Sequence, residues 1–189
     1  TPIKSSAASD VYKRQQLKHL DPTLKYNREK KSEIKLSLFF KEESEYYKNR
    51  LQKNSIDFTI FLEDDFSISI NRGKIVQIID NLISNSEYWL IKLKGNDPNC
   101  KPSITIKIES PWIYFYDNGY GISPAIENML FEPFVTTKPK GEGRGLGLFI
   151  IQQLLDSSKC TIALEPSRNE HGRKYIFAIN FSNIINEYK

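Results

Sequence analysis

The apolar positions change period along the chain, and each change marks an expected element. From Leu36 the spacing is helical: Leu36, Phe39, Phe40, Tyr47 and Leu51 share a face while Lys41, Glu42, Glu45 and Lys48 fall on the others. Residues 56 to 62 and 66 to 70 alternate like strands, with the acidic turn Glu63-Asp64-Asp65 between them. Asn71 offers an N-cap for a long helix running to about Leu93, whose buried stripe is Ile75, Ile78, Ile79, Leu82, Ile83, Trp89, Leu90 and Leu93. A turn-rich loop over residues 95 to 99 precedes a half-buried strand at 103 to 109. Pro111 separates that strand from the apolar, aromatic run Trp112-Ile113-Tyr114-Phe115-Tyr116, which reads as a buried strand ending in Asp117. Ser123-Pro124 reads as an N-cap with proline at the first helical position, starting a short helix to about Leu130. An amphipathic helix begins at Leu148, and residues 160 to 165 and 174 to 181 form an expected hairpin around a polar loop. This order of elements predicts an α+β, two-layer α/β sandwich, with helices on one face of a mixed, largely antiparallel sheet.

Residues 1 to 14 show no periodicity and read as a disordered end or an assembly scar. Residues 17 to 35 are basic and broken by Asp21-Pro22, as in a linker or the stump of a preceding helix. The expected division is therefore 1–35 as end and linker, with one domain over 36–189. Composition agrees: 39% hydrophobic and 12% aromatic residues across 189 positions suffice for a real core. The formal charge of +4 is too mild to signal nucleic-acid binding, though it suits a polyphosphate ligand. Cys100 and Cys160 lie far apart without metal-ligand spacing, so reduced thiols in a cytoplasmic protein are expected. No apolar run approaches the ~20 residues a membrane helix needs, and no signal peptide is recognisable.

Chemistry concentrates between residues 117 and 148. Asp117-Asn118-Gly119-Tyr120-Gly121 places an acceptor at a strand's end, followed by glycines that let backbone and ligand approach closely. Gly143-Arg144-Gly145-Leu146-Gly147-Leu148 opens a helix, where exposed N–H groups and the positive end of the helix dipole suit phosphate. Between them lie Pro133, Pro139 and Gly141 with Thr136, Thr137, Lys138 and Lys140, a composition that suits a mobile lid. One end suits a base and the other phosphates: a nucleotide site. On the long helix, Asn81 and Asn85 share one face at the edge of the buried stripe, and an asparagine carbonyl is a hard-oxygen ligand suited to Mg²⁺. Alone, that pair reads more simply as two amides bonding nearby backbone.

Together, Asn-Leu-Ile-Ser-Asn on a helix, Asp-Asn-Gly-Tyr-Gly after a strand, Phe-Glu-Pro-Phe-Val-Thr-Thr-Lys, and the glycine loop opening a helix resemble the N, G1, F and G2 boxes of the GHKL family. That family includes gyrase, a heat-shock chaperone, histidine kinases and the MutL repair protein, and the chain is most similar to the histidine-kinase catalytic and ATP-binding domain over roughly residues 36 to 181. The resemblance implies Mg²⁺ at Asn85 with Asn81 assisting, both in catalytic positions. It further implies that Asp117 accepts the adenine amine, with Gly119 and Gly121 shaping the base pocket. Phe131 and Phe134 would anchor the lid, Thr137 and Lys138 would face the phosphates, and Gly143, Arg144, Gly145, Leu146 and Gly147 would contact the phosphate chain.

Four positions before Asn85, the hydrolysing branches of the family carry a glutamate as general base; here Asn81 cannot take a proton. Histidine kinases carry asparagine or histidine there, because the acceptor imidazole is itself the nucleophile. The resemblance thus implies Mg-ATP as substrate and a phosphoacceptor histidine on another domain or protein, in a parent that is dimeric. The alternatives are an ATPase that drives conformational change and a non-catalytic ATP-sensing module. His19 sits in a suggestive His-Leu-Asp-Pro sequence, yet only 61 residues lie between it and Asn81, too few for a two-helix acceptor hairpin plus the elements above. His171, in a polar loop, reads as solvated. Glu87 lies on another helix face and is not a substitute base. One departure stands out: histidine kinases usually carry a basic residue three positions after the second asparagine, where this chain has Tyr88 at the nucleotide's edge. Lys138 or Arg144 is expected to supply that charge.

Overall fold

The computed structural model describes residues 30–185; the readings on residues 1–29, His19 among them, lie outside the described residues. In chain order the elements are β1 (Ser32–Lys35), α1 (Leu36–Gln52), β2 (Asp57–Asp64), β3 (Ser67–Ile70), α2 (Arg72–Asn96), β4 (Ser103–Glu109), β5 (Trp112–Asp117), α3 (Gly147–Asp156), β6 (Thr161–Leu164) and β7 (Ile176–Asn180). Short 3₁₀ turns cover Pro124–Met129 and Ser182–Ile184.

Five strands form one sheet in the order β2-β4-β5-β7-β6. Only β2 and β4 run parallel, because β3 and α2 intervene as a crossover; the other pairs are antiparallel. The period-two pattern decides the faces. Ile104, Ile106 and Ile108 on β4 point with Ile113 and Phe115 on β5 and Phe177 and Ile179 on β7 into the core, where they meet the stripes of α1, α2 and α3. On the other face Trp112 stacks on Tyr114 and Lys107 lies over the Tyr114 ring, a surface left to solvent. Helices therefore layer on one face of a mixed, mostly antiparallel sheet, as the sequence pattern implies.

Three local features depart from the sequence reading. Ser32–Lys35, read as linker, is a strand paired antiparallel with β3 in a separate two-stranded sheet. With Ile34 as its one buried residue, it carries no periodic signal. Residues 63 to 65, expected as a turn, are largely strand, because β2 runs on to Asp64, and β2 and β3 belong to different sheets. Instead, Asp65 accepts the Ser37 N–H at 3.0 Å, capping α1 from a distant segment because Lys35 at its N-cap position offers no side-chain acceptor. At Ser123 the side chain makes no cap; its carbonyl takes the Ile126 N–H at 3.0 Å, and a 3₁₀ turn results. Asn71 does cap α2, accepting from the Lys74 N–H at 3.3 Å.

Candidate nucleotide site

α2 and α3 pack against one another, and Gly147, the first residue of α3, lies against α2. A methyl group there would stand 3.4 Å from Asn85 Nδ2 and 3.6 Å from Asn81 Oδ1. Without a side chain, the start of α3 faces both asparagines directly. Here the start of a helix and two amide side chains line one cavity, and a helix start presents N–H groups without intrahelical partners.

That cavity has a volume of about 620 Å³, within the range of pockets that enclose a small ligand. It is lined by Asn81, Asn85, Asp117, Gly121, Thr137, Lys138, Gly143, Arg144, Gly145, Leu146 and Gly147, all singled out in the sequence, from elements more than sixty residues apart. Gly119, Tyr88, Phe131 and Phe134 are not among the lining residues. Gly119 acts one step removed, donating its N–H to Asp117 Oδ1 at 2.9 Å. Phe131 packs edge-on against Phe177, joining the lid to the sheet. Phe134 has a positive φ of 68° and donates its N–H to the Gly145 carbonyl at 2.7 Å, which ties the lid to the glycine loop.

Asp117 is the sole carboxylate among the described lining residues. Burial pushes its carboxyl above the ordinary range, while the Ser86 hydroxyl, donating to Oδ2, and the Gly119 N–H pull it back. The result is an oriented acceptor at the end of β5. Ser86 escaped the sequence reading, although its position directly after Asn85 on a buried face was legible. Tyr175 and Arg173 also line the cavity unforeseen. Their signal was the alternation with Phe177 on one face of the strand extended back from β7.

At the opposite end, Lys138 Nζ donates to Asn85 Oδ1 at 3.3 Å and lies 4.2 Å from the Tyr88 ring centroid. Burial holds the ammonium below its usual range. The Tyr88 hydroxyl donates to Glu142, which Lys92 also meets at 3.3 Å, so Tyr88 holds the lid instead of lining the cavity. Arg144 is exposed at the rim. Glu87 is bound by Arg50 at 2.6 Å and Asn54 at 3.0 Å, which accounts for its absence from the site. Among the described residues no cluster of histidine, cysteine, aspartate and glutamate could hold a metal by itself. The donor set nevertheless fits a hard cation bound through an amide oxygen, since Asn85 Oδ1 already faces an ammonium. No helix among the described residues is long and apolar enough to cross a membrane.

Residues 70–183 match the family described as histidine kinase-, DNA gyrase B- and HSP90-like ATPases. The two-component sensor PprA of Pseudomonas aeruginosa is 34% identical over 88 residues, 43% of this chain and 9% of that protein. The sensor protein ChvG of Rhizobium meliloti is 29% identical over 130 residues, 62% of this chain and 21% of its own length. The chain thus spans a small part of these relatives. Among solved structures, the catalytic domain of the histidine kinase ThkA superimposes with a TM-score of 0.61 at 26% identity, covering 80% of this chain and 96% of that one. The mycobacterial sensor histidine kinase MprB gives a TM-score of 0.64 at 15% identity, covering 84% and 99%, and speaks for the fold.

Proposed function

Because the chain belongs to the histidine kinase-, DNA gyrase B- and HSP90-like ATPase family and is a histidine-kinase catalytic domain, we propose that it binds Mg-ATP in this cavity and passes the γ-phosphoryl group to a histidine on a domain or partner outside the described residues. The observation that carries this reading is the chemical asymmetry of the cavity. A half-buried, oriented carboxylate stands at one end, and paired asparagines face a helix N-terminus at the other, with no carboxylate beside them among the described lining residues.

In this reading Asp117 accepts the adenine amine, and Ser86 and the Gly119 N–H favour its ionised form against the effect of burial and aim it. The Gly143–Gly147 loop and the first N–H groups of α3 take the phosphate chain. Asn85 and Asn81 would hold Mg²⁺ through their amide oxygens, and the ion would supply charge neutralisation to the phosphates. Lys138, held over Tyr88, brings the cation that the tyrosine at that helix position does not. Attack by the acceptor imidazole forms a P–N bond and breaks the bond from γ-phosphorus to the bridging oxygen. ADP departs with that electron pair, and the imidazole releases its proton to solvent. Among the described lining residues no carboxylate stands at the asparagine end to activate water, so they offer hydrolysis no general base there. Dimerisation and a cytoplasmic setting of the parent protein are part of the same reading.

The test is incubation with γ-labelled ATP, Mg²⁺ and a separate histidine-bearing helical hairpin, alongside Asn85→Ala. Label transferred to the hairpin, with little free phosphate and loss of transfer in the variant, is the expected result. Steady phosphate release that Asn85→Ala abolishes would assign the domain to ATP hydrolysis instead. Binding with neither transfer nor release would make it a nucleotide sensor.

A further inference from the structure

The loop between β6 and β7 carries three basic residues close together, and two are spoken for. Arg168 and Lys174 both meet Glu127, at 3.5 and 3.1 Å. The third, Arg173, is half-buried and lines the nucleotide cavity, and its guanidinium has no hydrogen-bond or ion-pair partner among the described residues. A half-buried cation that lines a cavity without a protein partner has its donors left for a ligand.

Its position says which part of a ligand it meets. β5 and β7 are antiparallel with Tyr116 opposite Ile176 at the last paired position, so the segment running back from β7 to Arg173 lies beside the chain that follows Asp117. Alternation turns Phe177, Tyr175 and Arg173 to the same face, and all three line the cavity. The backbone is pinned there. Asn169 donates to the Gly119 carbonyl at 3.1 Å and accepts the Arg173 N–H at 3.1 Å, while the Ile122 N–H reaches the Lys174 carbonyl at 2.8 Å. A Cβ on Gly121 would fall 2.9 Å from Arg173 Cβ. Arg173 therefore belongs to the Asp117 end, away from Asn85 and Gly147.

We propose that Arg173 reads the nucleobase: its guanidinium donates to a ring-nitrogen acceptor of the adenine whose exocyclic amine Asp117 accepts. The inference rests on the nucleotide reading above. Adenine offers a donor amine flanked by acceptor nitrogens, and a carboxylate and a guanidinium lining the same end of one cavity complement that edge. Arginine's planar fork suits such an edge, whereas a lysine point charge does not reproduce it.

The experiment titrates the full chain with Mg-ATP and, separately, with base-free Mg-tripolyphosphate, using wild type, Arg173→Ala, Arg173→Gln, Arg173→Lys and Asp117→Asn. Thermal unfolding of each variant checks the fold, and the glutamine variant, which keeps the packing of the stem, replaces the alanine one if that melts early. The expected result is an ATP affinity about tenfold lower without the guanidinium, partly restored at most by lysine, with tripolyphosphate affinity unchanged. Equal losses for both probes would place Arg173 on the phosphates and overturn the inference. So would an unchanged ATP affinity in a folded variant. If wild type binds ATP, Asp117→Asn loses it and Arg173→Gln keeps it, the Arg173 role alone falls. If wild type binds no ATP, the nucleotide reading falls and this inference with it.

Discussion

Gly145 is where the lid and the phosphate loop are joined, and replacing it by alanine separates the two roles of that junction. Its φ is +65°, and an added Cβ would lie 2.5 Å from the Phe134 carbonyl carbon and 2.7 Å from both Val135 N and O. These are backbone atoms, so no rotamer change relieves the overlap. The left-handed conformation costs a residue with a side chain about 1–2 kcal/mol, and losing the Phe134 N–H bond to Gly145 costs roughly 1 kcal/mol more. Lifting residues 134 and 135 off the loop relieves the overlap at the cost of that bond and confines the damage to this junction. The expected outcome of Gly145→Ala is therefore local: ATP affinity falls about 30-fold or more, equivalent to some 2 kcal/mol at 1.4 kcal/mol per tenfold, while the thermal midpoint scarcely moves. Amide exchange in the lid should accelerate without change in β4 or β5. Gly141→Ala is the control, because Gly141 also has a positive φ, +95°, but nothing lies within 4 Å of its Cβ position. Wild-type ATP affinity in Gly145→Ala would refute the reasoning. Equal losses in the two variants would show that dihedral strain, and not the contact with the lid, governs binding.

Two further outcomes follow from the charges. Glu87 bridges α2 to α1 through Arg50 and Asn54, so Glu87→Ala leaves a partly buried guanidinium without its counter-charge, holding only the Ser84 hydroxyl, and should cost about 2 kcal/mol, read as a fall of roughly 4–8 °C in thermal midpoint; a change in ATP affinity beyond that explained by unfolding would contradict its structural role. Asp117 must be ionised to accept the adenine amine, and its folded-state pKa is raised, chiefly by burial. ATP affinity should hold above that pKa and fall as pH drops through it, whereas folding stability should decline as pH rises from the ordinary carboxylate range through it, since the folded state keeps the proton longer. Ser86→Ala removes one of the two donors favouring the carboxylate, so the acid limb of affinity should move to higher pH; an unmoved limb in a pH titration of ATP binding would show that Ser86 does not tune the group.

What the one-dimensional pattern determined is whatever repeats over a helix turn or a strand pleat. The stripes of α1 and α2, the alternation of β4, the cap at Asn71 and the glycine loop opening α3 are all local, each set by spacing that burial on one face imposes. The motif residues are legible for the same reason, since metal, base and phosphate chemistry demand particular residue types at short intervals. Tertiary structure alone decided the rest. β1 is held by pairing with β3 and carries almost no apolar pattern of its own. Asp65 caps a helix that begins 29 residues before it, because the chain returns there. Tyr88, a nucleotide contact by its place in the sequence, turns to the lid because Glu142 and Lys138 meet it across 54 and 50 residues of chain. Ser86 and Arg173 become meaningful only when β5 and β7 bring Asp117 between them. Contacts between distant segments depend on how layers stack and in which register, and no period along the chain encodes that.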